Sequence, residues 1–141
     1  MTAKEYLRQA YRLENKIKML GDKIARLRLL ATSVSSPGFE ERYNASRNTD
    51  APQVKAIEKI IMCEQEVQEK LVLLLDLQKQ IEDVIAKVDD VDCQMVLTYR
   101  YLYNLSWCRI GEELCIDEST ARRWHDKAIT KVSVPQNAIK I

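Results

Sequence analysis

Apolar residues over the first thirty positions recur in a regular rhythm. Tyr6, Ala10, Leu13, Ile17, Leu20, Ile24, Leu27 and Ala31 advance by alternating steps of four and three. That spacing keeps one stripe of a helix apolar, as in the seam of a coiled coil, and predicts a single helix of about thirty residues, about 45 Å long. Gly21 is the weak point inside it, and its cost of about 1 kcal/mol relative to Ala is small against burial of a seam.

From 32 to 51 the rhythm stops. The stretch TSVSSPGFEERYNASRNTDAP is rich in Ser, Thr, Asn and Pro, with Pro-Gly at 37–38, and reads as a connector. Asp50, followed by Ala51 and Pro52, is of N-cap type with proline early in a helix, which predicts a second helix starting there. In that helix Ile60, Val67, Leu74, Ile81 and Val88 recur every seven residues, with Ile57, Leu71 and Ile85 as a companion row. Glu64 and Gln78 occupy the remaining seam slots, as residues that fix register or partner often do. Leu73, Leu75, Leu77 and Val84 fall outside this seam and widen the apolar face beyond what one neighbouring helix covers. The pattern therefore predicts a helical hairpin that self-associates into a homo-oligomer.

Charge supports the antiparallel arrangement. Residues 1–31 hold eight Lys/Arg against three Asp/Glu, and residues 50–92 hold five against eleven, so the two helices are complementary in sign. With 46% apolar and 30% charged residues the composition suits a soluble helical protein and argues against general disorder. No apolar run reaches the roughly 18 residues needed to span a bilayer, and the N-terminus carries charges where a signal peptide needs an apolar core. A cytoplasmic protein that engages no membrane is expected.

After Asp89, Asp90 and Asp92 the pattern changes to three short helices, so the expected domains are the hairpin at 1–90, a three-helix unit at 91–134 and a tail at 135–141. The first short helix, about Cys93 to Tyr103, turns Val96, Leu97, Tyr101 and Tyr99 inward and is broken by Asn104 and Leu105. Ser106 is placed to cap the second, in which Ile110 and Leu114 repeat at four residues and Gly111 allows close backbone approach. Asp117 is placed to cap the third, accepting from the N–H of Ser119 or Thr120. There Ala121, Trp124, Ala128 and Val132 form a buried stripe, with His125 a partly exposed surface histidine. The opposite face holds Glu118, Ser119, Arg122, Arg123, Lys127 and Lys131.

A short helix, a turn of three or four residues and an arginine-bearing helix form the arrangement that fits the major groove of double-stranded DNA. Arginine forks two hydrogen bonds to guanine, and lysine approaches phosphate as a point charge. The alternative is a plain three-helix bundle with a solvated charged face. Residues 93–141 hold seven Lys/Arg against five Asp/Glu, a modest electrostatic footprint that predicts weak binding by the isolated unit. Trp107 is expected to pack rather than to meet DNA.

Chemistry is not expected. There is no glycine-rich phosphate loop, no nucleophile beside a base, and no histidine–carboxylate set of a di-metal bundle. The four cysteines show no CxxC pair and read as buried reduced thiols; Cys108, Cys115 and His125 lack a fourth zinc ligand. No enzyme, cofactor or metal is expected.

The 41-residue stretch from Asp92 to Val132 resembles the region-four domain of bacterial sigma factors. The matching residues are Val96, Leu97, Arg100, Tyr101, Leu105, Ser106, Ile110, Gly111, Leu114, Ile116, Ser119, Thr120, Arg122, Arg123 and Ala128. Cys115 stands where that family usually has glycine, the residue a left-handed turn favours. No counterpart of the other sigma domains lies upstream, so a working sigma factor is not expected. Over its whole length the chain is similar to small proteins of phages and prophages of Gram-positive bacteria, whose C-terminal half resembles ArpU- and RinA-type regulators of late genes. The resemblance implies a transcriptional regulator in a bacterial host, with DNA contacts at Ser119, Thr120, Arg122, Arg123 and Lys127. Two other classes remain open: a DNA-packaging recognition subunit like a small terminase, and an adaptor whose helices grip RNA polymerase.

Overall fold

The computed structural model describes residues 1–34 and 50–141. The fold is all-α. Helix α1 spans Ala3–Val34, α2 Asp50–Ala86, α3 Val91–Leu97, α4 Trp107–Leu114 and α5 Glu118–Lys131, and α3 runs on into a π-helical turn, Thr98–Leu102. Tyr6 near the start of α1 bonds Gln80 near the end of α2, and Arg28 near the end of α1 pairs with Glu64 in the first half of α2. The two long helices thus form an antiparallel hairpin, and three short helices follow it.

The apolar rhythm of α1 is its packing face: Tyr6, Ala10, Leu13 and Ile24 are buried and Ile17, Leu20, Leu27 and Ala31 half-buried. Because α1 continues through Val34, the connector starts later than residue 32. The remainder, 35–49, and the Asp50 side chain assigned to the cap lie outside the described residues.

Along α2 and just past its end the expected row Ile60, Val67, Leu74, Ile81 and Val88 is covered, and Ile85 is buried, but the companion row is a different one. Ile60, Cys63, Val67, Lys70, Leu74, Leu77, Ile81, Val84 and Val88 are buried or half-buried, again at alternating steps of three and four. Ile57 and Leu71, expected in the seam, are exposed, whereas Leu77 and Val84, expected outside it, are buried. The cause is compositional. Leu71, Leu73, Leu74, Leu75 and Leu77 put apolar side chains on several faces, so periodicity alone selects no unique stripe, and packing against α1 does. One row stays uncovered: Val54, Ile57, Ile61, Leu71 and Leu75 are exposed at spacings of three, four, ten and four.

By contacts the chain falls into two compact units, Asn15–Val72 and Met1–Glu14 with Leu73–Ile141. The first contains the buried Cys63 and the solvent-exposed Arg28–Glu64 pair at 2.6 Å, a surface ion pair contributing at most about 1 kcal/mol. In the second, the ends of the long helices and the three short helices share one core. Leu7 and Gln9 are buried although they lie off the seam.

Two glutamines order the C-terminal tail there. Gln80 Oε1 accepts from Tyr6 Oη at 2.7 Å and from the Ile139 N–H at 3.0 Å, and its Nε2 donates to Asn137 O at 3.1 Å. Gln9 Nε2 donates to Ile139 O at 2.8 Å, and Gln9 Oε1 accepts from the Ile141 N–H at 3.0 Å. The side-chain amides satisfy backbone groups that have no sheet or helix partner.

Candidate nucleic-acid interface

Asp90 caps α3, its Oδ1 accepting from the Asp92 N–H at 2.9 Å. Cys93, Val96, Leu97 and Tyr101 enter the core, and Tyr99 is half-buried. The π turn closes with Tyr103 N–H donating to Thr98 O at 3.1 Å, and Asn104 then adopts a left-handed φ of 54° that ends the helix. Ser106 caps α4 as expected, its Oγ accepting from the Arg109 N–H at 3.3 Å.

The turn that follows sets the angle between α4 and α5. Ile116 N–H donates to Gly111 O at 2.9 Å and Cys115 N–H to Glu112 O at 3.4 Å, the paired bonds of a Schellman motif. Its left-handed position is Cys115, at φ 55° and ψ 43°. The backbone conformation that glycine favours is thus adopted here by a cysteine, at a strain of roughly 1 kcal/mol. A glycine is needed one turn earlier instead. A Cβ on Gly111 would lie 2.8 Å from the Ile116 carbonyl oxygen, so close approach of helix to turn depends on a bare Cα.

Asp117 occupies the N-cap of α5 with extended backbone, but its side chain makes no capping bond. Thr120 Oγ1 accepts from Arg123 Nη2 at 3.2 Å. The stripe that α5 buries is Ala121, His125 and Ala128, with Trp124 and Val132 only half-buried. His125 therefore takes the core place expected for Trp124. Its Nε2 lies 2.6 Å from Tyr101 Oη and its Nδ1 3.3 Å from Asp126 Oδ1, so both ring nitrogens are engaged within the protein. Burial pushes the imidazole below its usual value, against the opposing pull of Asp126, and it is neutral at pH 7. Trp107 packs edge-on against His125, with ring centroids 4.9 Å apart, and carries Arg100 over its face at 4.3 Å. Of the four cysteines Cys63 and Cys93 are buried, whereas Cys108 and Cys115 are exposed. Among the described residues no group of three or more His, Cys, Asp or Glu is placed to hold a metal.

On the outer face of α5, Ser119, Arg122, Arg123 and Lys127 are exposed and Thr120 is half-buried. Arg122 Nη2 pairs with Glu118 Oε1 at 2.7 Å on the same helix. Such an exposed i, i+4 pair is worth a few tenths of a kcal/mol and exchanges readily for another partner. Lys127 turns to the flank, its Nζ 3.7 Å from Asp90 Oδ2, with Lys131 at 3.8 Å from the same atom. The Asp92 N–H, together with Lys131 and Lys127, holds the Asp90 carboxyl below the usual carboxylate range. Of the expected contact residues, Ser119, Arg122 and Arg123 share the outermost strip, and Lys127 stands beside it. Asp126, four residues after Arg122 and three after Arg123, completes that strip and is 81% exposed. Its i, i+4 spacing from Arg122 was the available signal.

Helices α3 and α4 both pack on α5, and the turn at Cys115–Asp117 joins α4 to α5. Over residues 12–134 the chain matches the model of a family described as "Protein of unknown function (DUF722)", and it belongs to that family. No curated protein and no solved structure matches it. No helix among the described residues is long and apolar enough to cross a membrane.

Proposed function

We propose that this protein is a sequence-specific DNA-binding transcriptional regulator that inserts α5 into the major groove of duplex DNA. The observation carrying this reading is the left-handed turn at Cys115 joined to an α5 whose outer strip presents Ser119, Arg122 and Arg123 free, among the described residues, of any bond to another helix. Arg122 and Arg123 supply forked donors for guanine edges or phosphates, Ser119 a hydroxyl for a phosphate or base, and Lys127 a flanking charge. Asp126, on the same strip, suits a cytosine N4 amine and repels phosphate, so it contributes to sequence choice rather than affinity. The exposed apolar row of α2 drives assembly into a homo-oligomer, which supplies the second half-site that a weakly basic unit needs. The resemblance to late-gene regulators of Gram-positive phages supports an activator that works in the host cytoplasm with RNA polymerase.

Glu118 and Asp126, interleaved with the two arginines, favour a second reading in which α5 grips a polymerase subunit and not DNA. Titrating genome-selected duplex fragments at several salt concentrations separates the two. In the DNA reading Arg122→Ala and Arg123→Ala each weaken binding by about 1–3 kcal/mol where they fork to guanine, or lower the salt slope by about 1 where they meet phosphate. Unchanged affinity in both variants favours the adaptor.

A further inference from the structure

Away from the outer strip of α5, a cavity of about 500 Å³ opens between the first turns of α1, the π turn and the start of α4; its lining includes Lys4, Arg8, Arg100, Asn104, Trp107 and His125. That volume lies within the range of small-molecule sites and far exceeds a single ion. Three cations converge on it, and among the described residues none of them is paired with a carboxylate. Among the described residues the lysine and arginine ion pairs lie elsewhere, at Arg28, Lys70, Arg109, Arg122, Lys127 and Lys131. Arg100 spends one donor on Leu105 O at 3.0 Å, and a guanidinium has five.

The remaining wall is equally suggestive. Tyr11, Tyr101 and Trp107 give it aromatic surface. Asn104 Nδ2 is committed to Glu14 Oε2 at 2.6 Å, which fixes the amide so that Oδ1 is the free end. That oxygen is a buried acceptor with no partner, and it asks for a donor such as a hydroxyl or amine. Cations for an acid group, rings for a flat group and an acceptor for a hydroxyl or amine describe one chemical class.

We propose that this cavity binds a small phosphorylated aromatic compound of the nucleoside monophosphate class, with Lys4, Arg8 and Arg100 on the phosphate and Asn104 Oδ1 on a hydroxyl or amine. The inference stands independently of DNA recognition, since His125 and Ala121 turn inward while Arg122 and Arg123 turn outward. The field of the cations already reaches the cavity floor: Lys4 and Arg100 add to the burial that holds the His125 imidazole low, and Arg100 and Arg8 act on Tyr101. A bound anion offsets that field, so His125 becomes easier to protonate.

The chain has a single histidine, which makes the test unambiguous. Ring resonances of His125 in the full chain are followed by NMR during titration with adenosine or guanosine monophosphate, with inorganic phosphate, and with duplex DNA. The expected result is a saturable shift with a nucleoside monophosphate, a raised His125 pKa, and affinity about tenfold weaker in the Lys4→Gln/Arg8→Gln double variant. Arg12→Gln removes an equal kind of charge from an α1 position that does not line the cavity, and leaves affinity within about twofold. No saturable shift, equal weakening by Arg12→Gln, tighter binding of inorganic phosphate than of either nucleotide, or a response to duplex DNA alone overturns the proposal.

Discussion

Alanine at Gly111 sets two effects of opposite sign against each other. Inside a helix the exchange gains up to about 1 kcal/mol, because glycine leaves more backbone freedom to lose. Here the new Cβ would stand 2.8 Å from the Ile116 carbonyl oxygen, a backbone atom that cannot rotate away. The contact must open by about 0.5 Å, which shifts a turn held by the Ile116–Gly111 bond, and overpacking of this kind costs about 1–3 kcal/mol. The clash wins, with a net loss of about 1–2 kcal/mol and a change in the angle of α5. Gly21 is the internal control, since nothing lies within 4 Å of its added Cβ; Gly21→Ala should gain up to about 1 kcal/mol. Amide hydrogen exchange reads each site separately. Gly111→Ala should speed exchange through α4 and α5 and weaken DNA binding, and Gly21→Ala should slow exchange in α1. A Gly111→Ala variant with wild-type protection and wild-type DNA affinity refutes the role assigned to the turn.

Other outcomes follow from the same structure. His125 is held below its usual value of 6.5 by burial, so its contribution to stability is complete above about pH 6.5 and declines as pH falls through the lowered value; thermal melts from pH 8 to 5 should show that decline, and His125→Gln should flatten it. Gln80→Ala removes three bonds to Tyr6, Asn137 and Ile139 and should cost roughly 2 kcal/mol, seen as faster amide exchange at Ile139; unchanged exchange there would rule out the glutamine clamp. Ile61→Glu with Leu75→Glu places charge on the uncovered row of α2 and should leave only monomer in sedimentation equilibrium, whereas an oligomer that survives both changes lies on another surface. A ring of eight or more wild-type subunits would instead favour the packaging class.

The two long helices were legible because a seven-residue rhythm is local and redundant: α1 needed no tertiary information. The main row of α2 was legible but its companion row was not, since the leucine-rich middle is apolar on more than one side and only contact with α1 chooses Leu77 over Ile57. Ser106 as a cap, Gly111 as a close approach and the exposed Arg122–Arg123 pair followed from residue type and spacing. His125 did not. Its burial depends on Tyr101, 24 residues away, and a histidine next to a tryptophan in sequence says nothing of which one the core takes. Cys115 shows the converse: local propensity argued against a left-handed residue, and the Schellman bonds with the approach of α4 to α5 override it. The cavity beside α1 was invisible for the same reason as His125, since its cations come from positions 4, 8 and 100.

Amide shift mapping on the labelled full chain, with a duplex selected from genomic fragments, tests DNA recognition by α5 most directly. The account predicts that the largest changes fall on residues 118–127, together with the turn at 115–117, and that Arg122→Ala removes a subset of them. Shifts confined to the long helices, or saturation with no response in α5, would contradict it.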